Sequence, residues 1–157
     1  MKNHTYGELC ISIIMIVFDR ITKWYAYTHL HTHRTINALL SFDPDLNQGV
    51  AWSLGASTDP YRFYILMVFI FLVIFNCIIA FYRRIALGEP ANGLLFIIVG
   101  ALSNYIDRFL YGGVIDWITV HYHNWYWPTF NIADIMICSG VMVLLYTEMK
   151  DEIKNSS

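Results

Sequence analysis

Charge is what this sequence has least of. Only 14% of its 157 residues are Asp, Glu, Lys or Arg, against about 25% in an ordinary soluble domain. With 57% hydrophobic residues, the polar surface is too small to cover a globule, and lipid must cover much of the chain. A basic excess is missing as well. The formal net charge is -2, which argues against nucleic acid as a partner, since that would call for basic patches. Cysteine is scarce, and Cys10, Cys77 and Cys138 each lie in a different apolar run. They are expected to pack as small hydrophobes rather than to form disulfides or bind metal. A cleavage site is lacking too: the apolar run LCISIIMIVF ends in Asp19-Arg20 with no small-x-small pattern. A retained helix is expected there instead of a removed leader. Repeats and low-complexity stretches are also absent.

What the sequence does have is long apolar runs. Spans are expected over residues 9–27, 63–82, 91–110 and 132–147, each near the ~20 residues that cross a bilayer, although the last is short. The fold class that follows is an all-α membrane protein, one domain over residues 1–157, with four transmembrane helices. Lys2, Arg83, Arg84, Lys150 and Lys154 gather on one side, while the other has Arg34 and no Lys or Arg between Tyr111 and Phe130. By the positive-inside bias, both termini are expected in the cytoplasm.

The two connections on the outer side, residues 28–60 and 111–130, differ from the short inner one. The first is too long for a passive connector. It contains alternating HLHTHRTI and turn-rich SFDPDLNQG, so short strands are expected in it. The second carries Tyr122, Trp125, Tyr126, Trp127 and Phe130, types that favour the membrane interface. Together they read as a small β-rich extracytoplasmic collar lying on the membrane.

Ionisable residues inside spans are costly and therefore candidates for function. Asp19 and Lys23 lie four apart on one helical face and either neutralise each other, with Lys23 snorkelling outward, or position a loop or substrate. Gly100, Asn104 and Arg108 form a stripe at four-residue spacing, with Asp107 beside Arg108. A small residue and polar groups in such a stripe can serve helix packing alone. The Arg108 guanidinium near the interface is also suited to holding a carbonyl or a carboxylate.

Asp116 and Asp134 sit at the same membrane face. Asn131 is a reasonable N-cap for the last helix, which would place Asp134 at N3, where the helix dipole favours a carboxylate. Asp116 could be a solvated loop residue. As a facing pair, however, the two would share a proton, one activating water while the other protonates the carbonyl oxygen or the leaving amine. The histidines His29, His31, His33, His121 and His123 lack the converging pattern of a metal site. Ser53, Ser103 and Ser139 have no Lys or His in helical register to activate them. No metal and no cofactor are expected.

Five ordered segments resemble a known family, the bacterial lipoprotein signal peptidases (signal peptidase II). Asp19-Arg20-Ile21-Thr22-Lys23 resembles its D-x-x-[ST]-K, and Asn47-Gln48-Gly49-Val50-Ala51-Trp52 its N-x-G-x-A-[FW]. The block from Gly100 to Arg108 resembles G-A-x-x-N-x-x-D-R, Val114-Ile115-Asp116-Trp117 resembles V-x-D-[FW], and Phe130-Asn131-Ile132-Ala133-Asp134 resembles F-N-x-A-D. Ser103 stands where Gly is common, and Trp117 and Trp127 where Phe is common. The resemblance implies an aspartic endopeptidase with Asp116 and Asp134 as the catalytic pair. Asn104, Arg108, Asn131 and Ala133 would shape the site. Asn47 and Gly49 would belong to a loop closing over substrate, while Asp19, Lys23, Gly100 and Asp107 would give support. The implied substrate is a diacylglyceryl-modified prolipoprotein, cut just before its lipid-modified cysteine. The implied place is the bacterial cytoplasmic (inner) membrane, multi-pass, with the site at the outer, periplasmic face and membrane lipid as a partner. A monomer suffices for this. The chain is not itself a lipoprotein, since Gly7-Glu8-Leu9 before Cys10 is no lipobox. A different use of the same acids, as the relay of a small non-enzymatic transporter or proton-conducting subunit, stands as the alternative.

Overall fold

The computed structural model describes residues 2–49 and 59–156. Val50, Ala51 and Trp52 of the second motif, and Ser53, lie outside the described residues. In chain order the elements are α1 (Lys2–His29), β1 (Arg34–Thr35), β2 (Leu40–Asn47), α2 (Pro60–Leu87), α3 (Asn92–Tyr111), β3 (Val114–Tyr122), β4 (Trp125–Tyr126) and α4 (Ile132–Ser156). α3 is the central helix and packs on α1, α2, α4 and β3.

The helix boundaries follow local chemistry. Asp59 caps α2 by accepting the Tyr61 N–H at 3.0 Å, and Pro60 opens the first turn, where a missing N–H is harmless. α3 ends at Gly112, whose φ of 74° gives the left-handed turn that returns its N–H to the Arg108 carbonyl at 3.0 Å. Gly100 is needed for a different reason. A Cβ there would fall 2.5 Å from the Ala133 carbonyl oxygen, so its absence lets α3 and the start of α4 touch.

Among the described residues, three helices are long and apolar enough to cross a membrane: Pro60–Leu87, Asn92–Tyr111 and Ile132–Lys150. α1 differs from them because Asp19, Arg20 and Lys23 all fall in its expected span. Its surface is nonetheless divided. Ile11, Ile14, Val17, Phe18 and Ile21 are exposed, whereas Ser12, Asp19, Lys23 and Ala26 are buried on the opposite face. The expectation that Lys23 snorkels outward is wrong: its side chain is 0% exposed. At the end of α2 next to Asp59, Arg62 pairs with Asp59 at 3.9 Å. It adds a second basic residue to the side where Arg34 alone was counted.

The two long connections join in one antiparallel sheet of order β1-β2-β3-β4. Strand structure was expected in the first connection, but its main strand is not the alternating HLHTHRTI. It is the turn-rich segment, as β2. The register shifts between Phe42 and Asp45, around Pro44, and such an irregularity is where a residue without an N–H is tolerated in a strand. Beyond it Asp45 faces Asp116 and Asn47 faces Val114. The β-branched run VIDWITVHY makes β3, so Asp116 is a strand residue, 4% exposed, and not a solvated loop residue.

Candidate active site

The site forms where β3 and the first turn of α4 meet α3. Asn131 is its hinge. The Asp134 N–H donates to Asn131 Oδ1, and the Asn131 N–H donates back to Asp134 Oδ2, each at 3.0 Å. This is a reciprocal helix cap of the kind Ser or Thr makes with Glu, so the capping expected from the sequence is real. It does not use up either side chain. Asn131 Nδ2 donates to Asp116 Oδ1 at 2.7 Å, and Asp134 Oδ1 accepts from Asn104 Nδ2 at 2.8 Å. One buried residue therefore bonds both aspartates.

The second oxygen of Asp116, Oδ2, accepts from Asn47 Nδ2 at 3.0 Å, and Asn47 Oδ1 accepts the Gly49 N–H at 2.9 Å. Arg108 reaches the same turn. Its guanidinium donates to the Gly49 carbonyl at 2.7 Å and to the Asn104 carbonyl at 3.3 Å. Arg108 thus holds a backbone carbonyl, as its position near the interface suggested. Burial, and then the charge of Asp134 beside it, push the Asp116 carboxyl up to about 7, against its bonds from Asn47 and Asn131 and the charge of Lys23. Asp116 is nearly closed off, while Asp134 is only half-buried.

Beneath the pair lies a second layer. Lys23 Nζ donates to Asn104 Oδ1 at 2.7 Å and lies 3.0 Å from Asp19 Oδ2 and 2.8 Å from Asp107 Oδ2. The contact with Asp107 is an ion pair without hydrogen-bond alignment. Asp107 pairs across to α1, with Lys23 and Arg20, and not with its neighbour Arg108. Asn104 Oδ1 also accepts from Asn131 Nδ2 at 3.1 Å. With Lys23 and Asn131 both donating to that oxygen, the amide can present only its NH2 to Asp134. Asp19 Oδ1 accepts the Ala133 N–H at 2.9 Å, so α1 supplies a further cap to α4. Ala133 itself is 0% exposed and fits between that carboxylate and Gly100.

Every site residue expected from the sequence therefore lies in one connected cluster. Two members were not foreseen. Arg20 occupies a free position of its motif, and Ser103 donates to Asp19 Oδ2 at 2.5 Å. A count of charges would have pointed to Arg20, because Asp19 and Asp107 are two acids against the single Lys23. No His, Cys, Asp or Glu group of three or more is placed to hold a metal among the described residues. His121 stacks on Tyr126 and His33 pairs loosely with Asp43 at 3.6 Å.

Apolar helices with a carboxylate pair at their sheet end define a multi-pass membrane protein whose polar site is built between helices and a small sheet. Residues 11–150 match the signal peptidase (SPase) II family. The chain belongs to that family and is a peptidase. It is 37% identical over 155 residues to the lipoprotein signal peptidase of Blochmanniella pennsylvanica, covering 94% of this chain and 92% of the relative. It is 32% identical over 155 residues to that of Polynucleobacter necessarius, covering 95% and 93%. Two solved structures, each described as a bacterial membrane enzyme obtained in meso, share the fold. One superposes with a TM-score of 0.76 at 25% identity, covering 93% of this chain and 89% of the other. The second gives 0.72 at 26% identity, covering 92% and 94%. A transporter or proton relay finds no support in these similarities.

Proposed function

We propose that this peptidase removes the signal peptide from lipid-modified prolipoproteins, using Asp116 and Asp134 as an acid–base pair around one water. The observation that carries the assignment is the double engagement of Asn131, which bonds Asp116 through its side chain and Asp134 through its backbone. In the reaction one carboxylate takes a proton from water as the oxygen attacks the scissile carbonyl carbon. The other carboxyl gives its proton to the carbonyl oxygen. Collapse of the tetrahedral species breaks the C–N bond and returns a proton to the leaving amine. No covalent link to the protein is needed.

Charge bookkeeping supports one shared proton. Asp19 and Asp107 are balanced by Lys23 and Arg20, which leaves Arg108 against the pair. One proton on Asp116 and Asp134 together makes the whole cluster neutral, the least costly state inside a membrane.

The chain acts as one membrane domain with four spans. α1 is the fourth, with Asp19 and Lys23 turned inward and its apolar face outward. Both termini lie in the cytoplasm, and the sheet and site lie at the outer face. Exposed Tyr122, Trp125, Tyr126 and Trp127 suit the lipid interface there. A single copy contains the whole site.

The test is cleavage of a diacylglyceryl-modified prolipoprotein by the purified protein in liposomes. Asp116→Asn and Asp134→Asn are expected to fold and to lose about 10²–10⁴-fold in rate, while chelator leaves the wild type active. Near wild-type cleavage by either folded variant would sink the assignment.

A further inference from the structure

Arg20 and Ser103 complete the buried layer, and neither is placed by the motifs in any role. Lys23, Asp19 and Asp107 are each 0% exposed. By themselves they would hold two negative charges against one positive directly below the site. The missing positive charge is Arg20, which bonds Asp107 Oδ1 and also donates to the Ser103 carbonyl at 3.4 Å. The Ser103 hydroxyl gives Asp19 Oδ2 a further donor beside the Lys23 ammonium. Both additions act on the acids that hold Lys23. Lys23 in turn fixes the Asn104 carbonyl, and so directs the Asn104 NH2 to Asp134.

We propose that Arg20 is a positioning residue for the aspartate pair: through Asp107 and Lys23 it keeps the buried layer electrically neutral and holds the Asn104 amide on Asp134. The proposal rests on the assignment of Asp116 and Asp134 as the reacting pair. The charged groups around Asp116 come from four elements. Asp19, Arg20 and Lys23 are on α1, Asp107 and Arg108 on α3, and Asp134 on α4. Asp45 on β2 is its exposed register partner. Of these, Arg20 and Asp107 pair with each other, and Asp107 pairs also with Lys23. Removing one charge therefore changes the local potential without removing a group that bonds either aspartate.

The experiment compares Arg20→Gln, Arg20→Lys, Asp107→Asn and the double variant Arg20→Gln/Asp107→Asn in liposomes, with Arg84→Gln as a control. Arg84 pairs with Glu148 and Glu89 at the opposite end of the bundle. Arg20→Gln leaves a net negative layer and is expected to move the alkaline limb of kcat/KM upward by about half a pH unit, with kcat reduced more than KM is changed. Asp107→Asn is expected to move it downward, and the double variant to return it. Arg20→Lys keeps the wild-type profile, and so does Arg84→Gln.

The protonated-carboxyl infrared band of Asp116, identified by its loss in Asp116→Asn, is titrated in parallel without substrate and should shift in the same senses. Shifts of the same sign in both single variants overturn the proposal, as does an unmoved band. If Arg20→Gln does not fold, Asp107→Asn and the double variant decide alone, and an unmoved band in Asp107→Asn is then a refutation. If Asp116→Asn still cleaves, the peptidase assignment fails, whereas the band shift continues to test the role of Arg20.

Discussion

Asn131 and Asp134 cap each other, the Asp134 N–H donating to Asn131 Oδ1 and the Asn131 N–H donating to Asp134 Oδ2, each at 3.0 Å. The start of a helix and the placement of a reacting carboxyl are thus one structural event. Because the cap is reciprocal, Asp134 has its orientation set by backbone geometry rather than by a mobile loop. The Asn131 amide remains free to hold Asp116 at 2.7 Å.

Stability and activity should therefore separate at Asn131. Asn131→Ala removes the cap and is expected to cost about 1 kcal/mol or more. Asn131→Ser restores an acceptor for the Asp134 N–H but has no amide to reach Asp116. Its melting temperature should recover most of the loss, while kcat stays down on the order of 10²-fold, as expected for misplaced reacting groups. Recovery of both by Ser would mean that the bond to Asp116 has no part in the reaction.

The pH dependence follows from Asp116. Its carboxyl is pushed from 3.8 up to about 7 by burial and by Asp134, so the folded protein binds this proton more tightly than the unfolded chain does. Stability from this group is fully present below about pH 4 and is lost as pH rises through about 7. Asp116→Asn should remove that slope, so that the variant gains melting temperature relative to wild type above pH 7. In cleavage, activity that needs one protonated carboxyl should show an alkaline limb centred near 7. Equal pH slopes of melting temperature in wild type and Asp116→Asn would contradict this account.

The helices and the acids were legible in the sequence because their signals are local. A long apolar run with few charges reads as a span, and Asn131 three residues before Asp134 reads as a cap. The sheet was only half legible. β3 has a β-branched pattern that could have been read directly, but Pro44 and its neighbouring aspartates made β2 resemble a turn. Long-range pairing with β3 overrides that local preference. The fate of Lys23 was not legible at all. Whether a cation four residues from an acid snorkels or is buried depends on Asp107 and Asn104, which lie more than 80 positions away and arrive only when α3 packs on α1.

Gly100 tests how far the site depends on helix approach. A methyl group there would meet the Ala133 carbonyl oxygen at 2.5 Å and the Ile137 side chain at 2.9 Å. Relief requires α4 to move away from α3, carrying Asp134 away from Asn104. Gly100→Ala is expected to cost about 1–3 kcal/mol and to reduce kcat by more than the fraction unfolded explains. A variant with a lowered melting temperature and an unchanged kcat would show that the approach matters for packing alone.

Lys23 offers the strongest contrast between charge and volume. Lys23→Met keeps most of the side-chain volume but leaves Asp19 and Asp107 without their shared cation, and it removes the shorter of the two hydrogen bonds that hold Asn104 Oδ1. Removing one member of a buried ion cluster typically costs about 3–5 kcal/mol, so the single variant should melt far below wild type. Adding Asp19→Asn removes one stranded charge, and the neutral amide can still accept the Ala133 N–H. The double variant should therefore recover part of the stability, while the Asn104 amide still lacks its bond from Lys23 and cleavage stays low. Thermal melts and cleavage rates of the three proteins decide the matter. If the double variant is no more stable than Lys23→Met, the penalty lies in lost packing around Lys23 and not in unpaired charge.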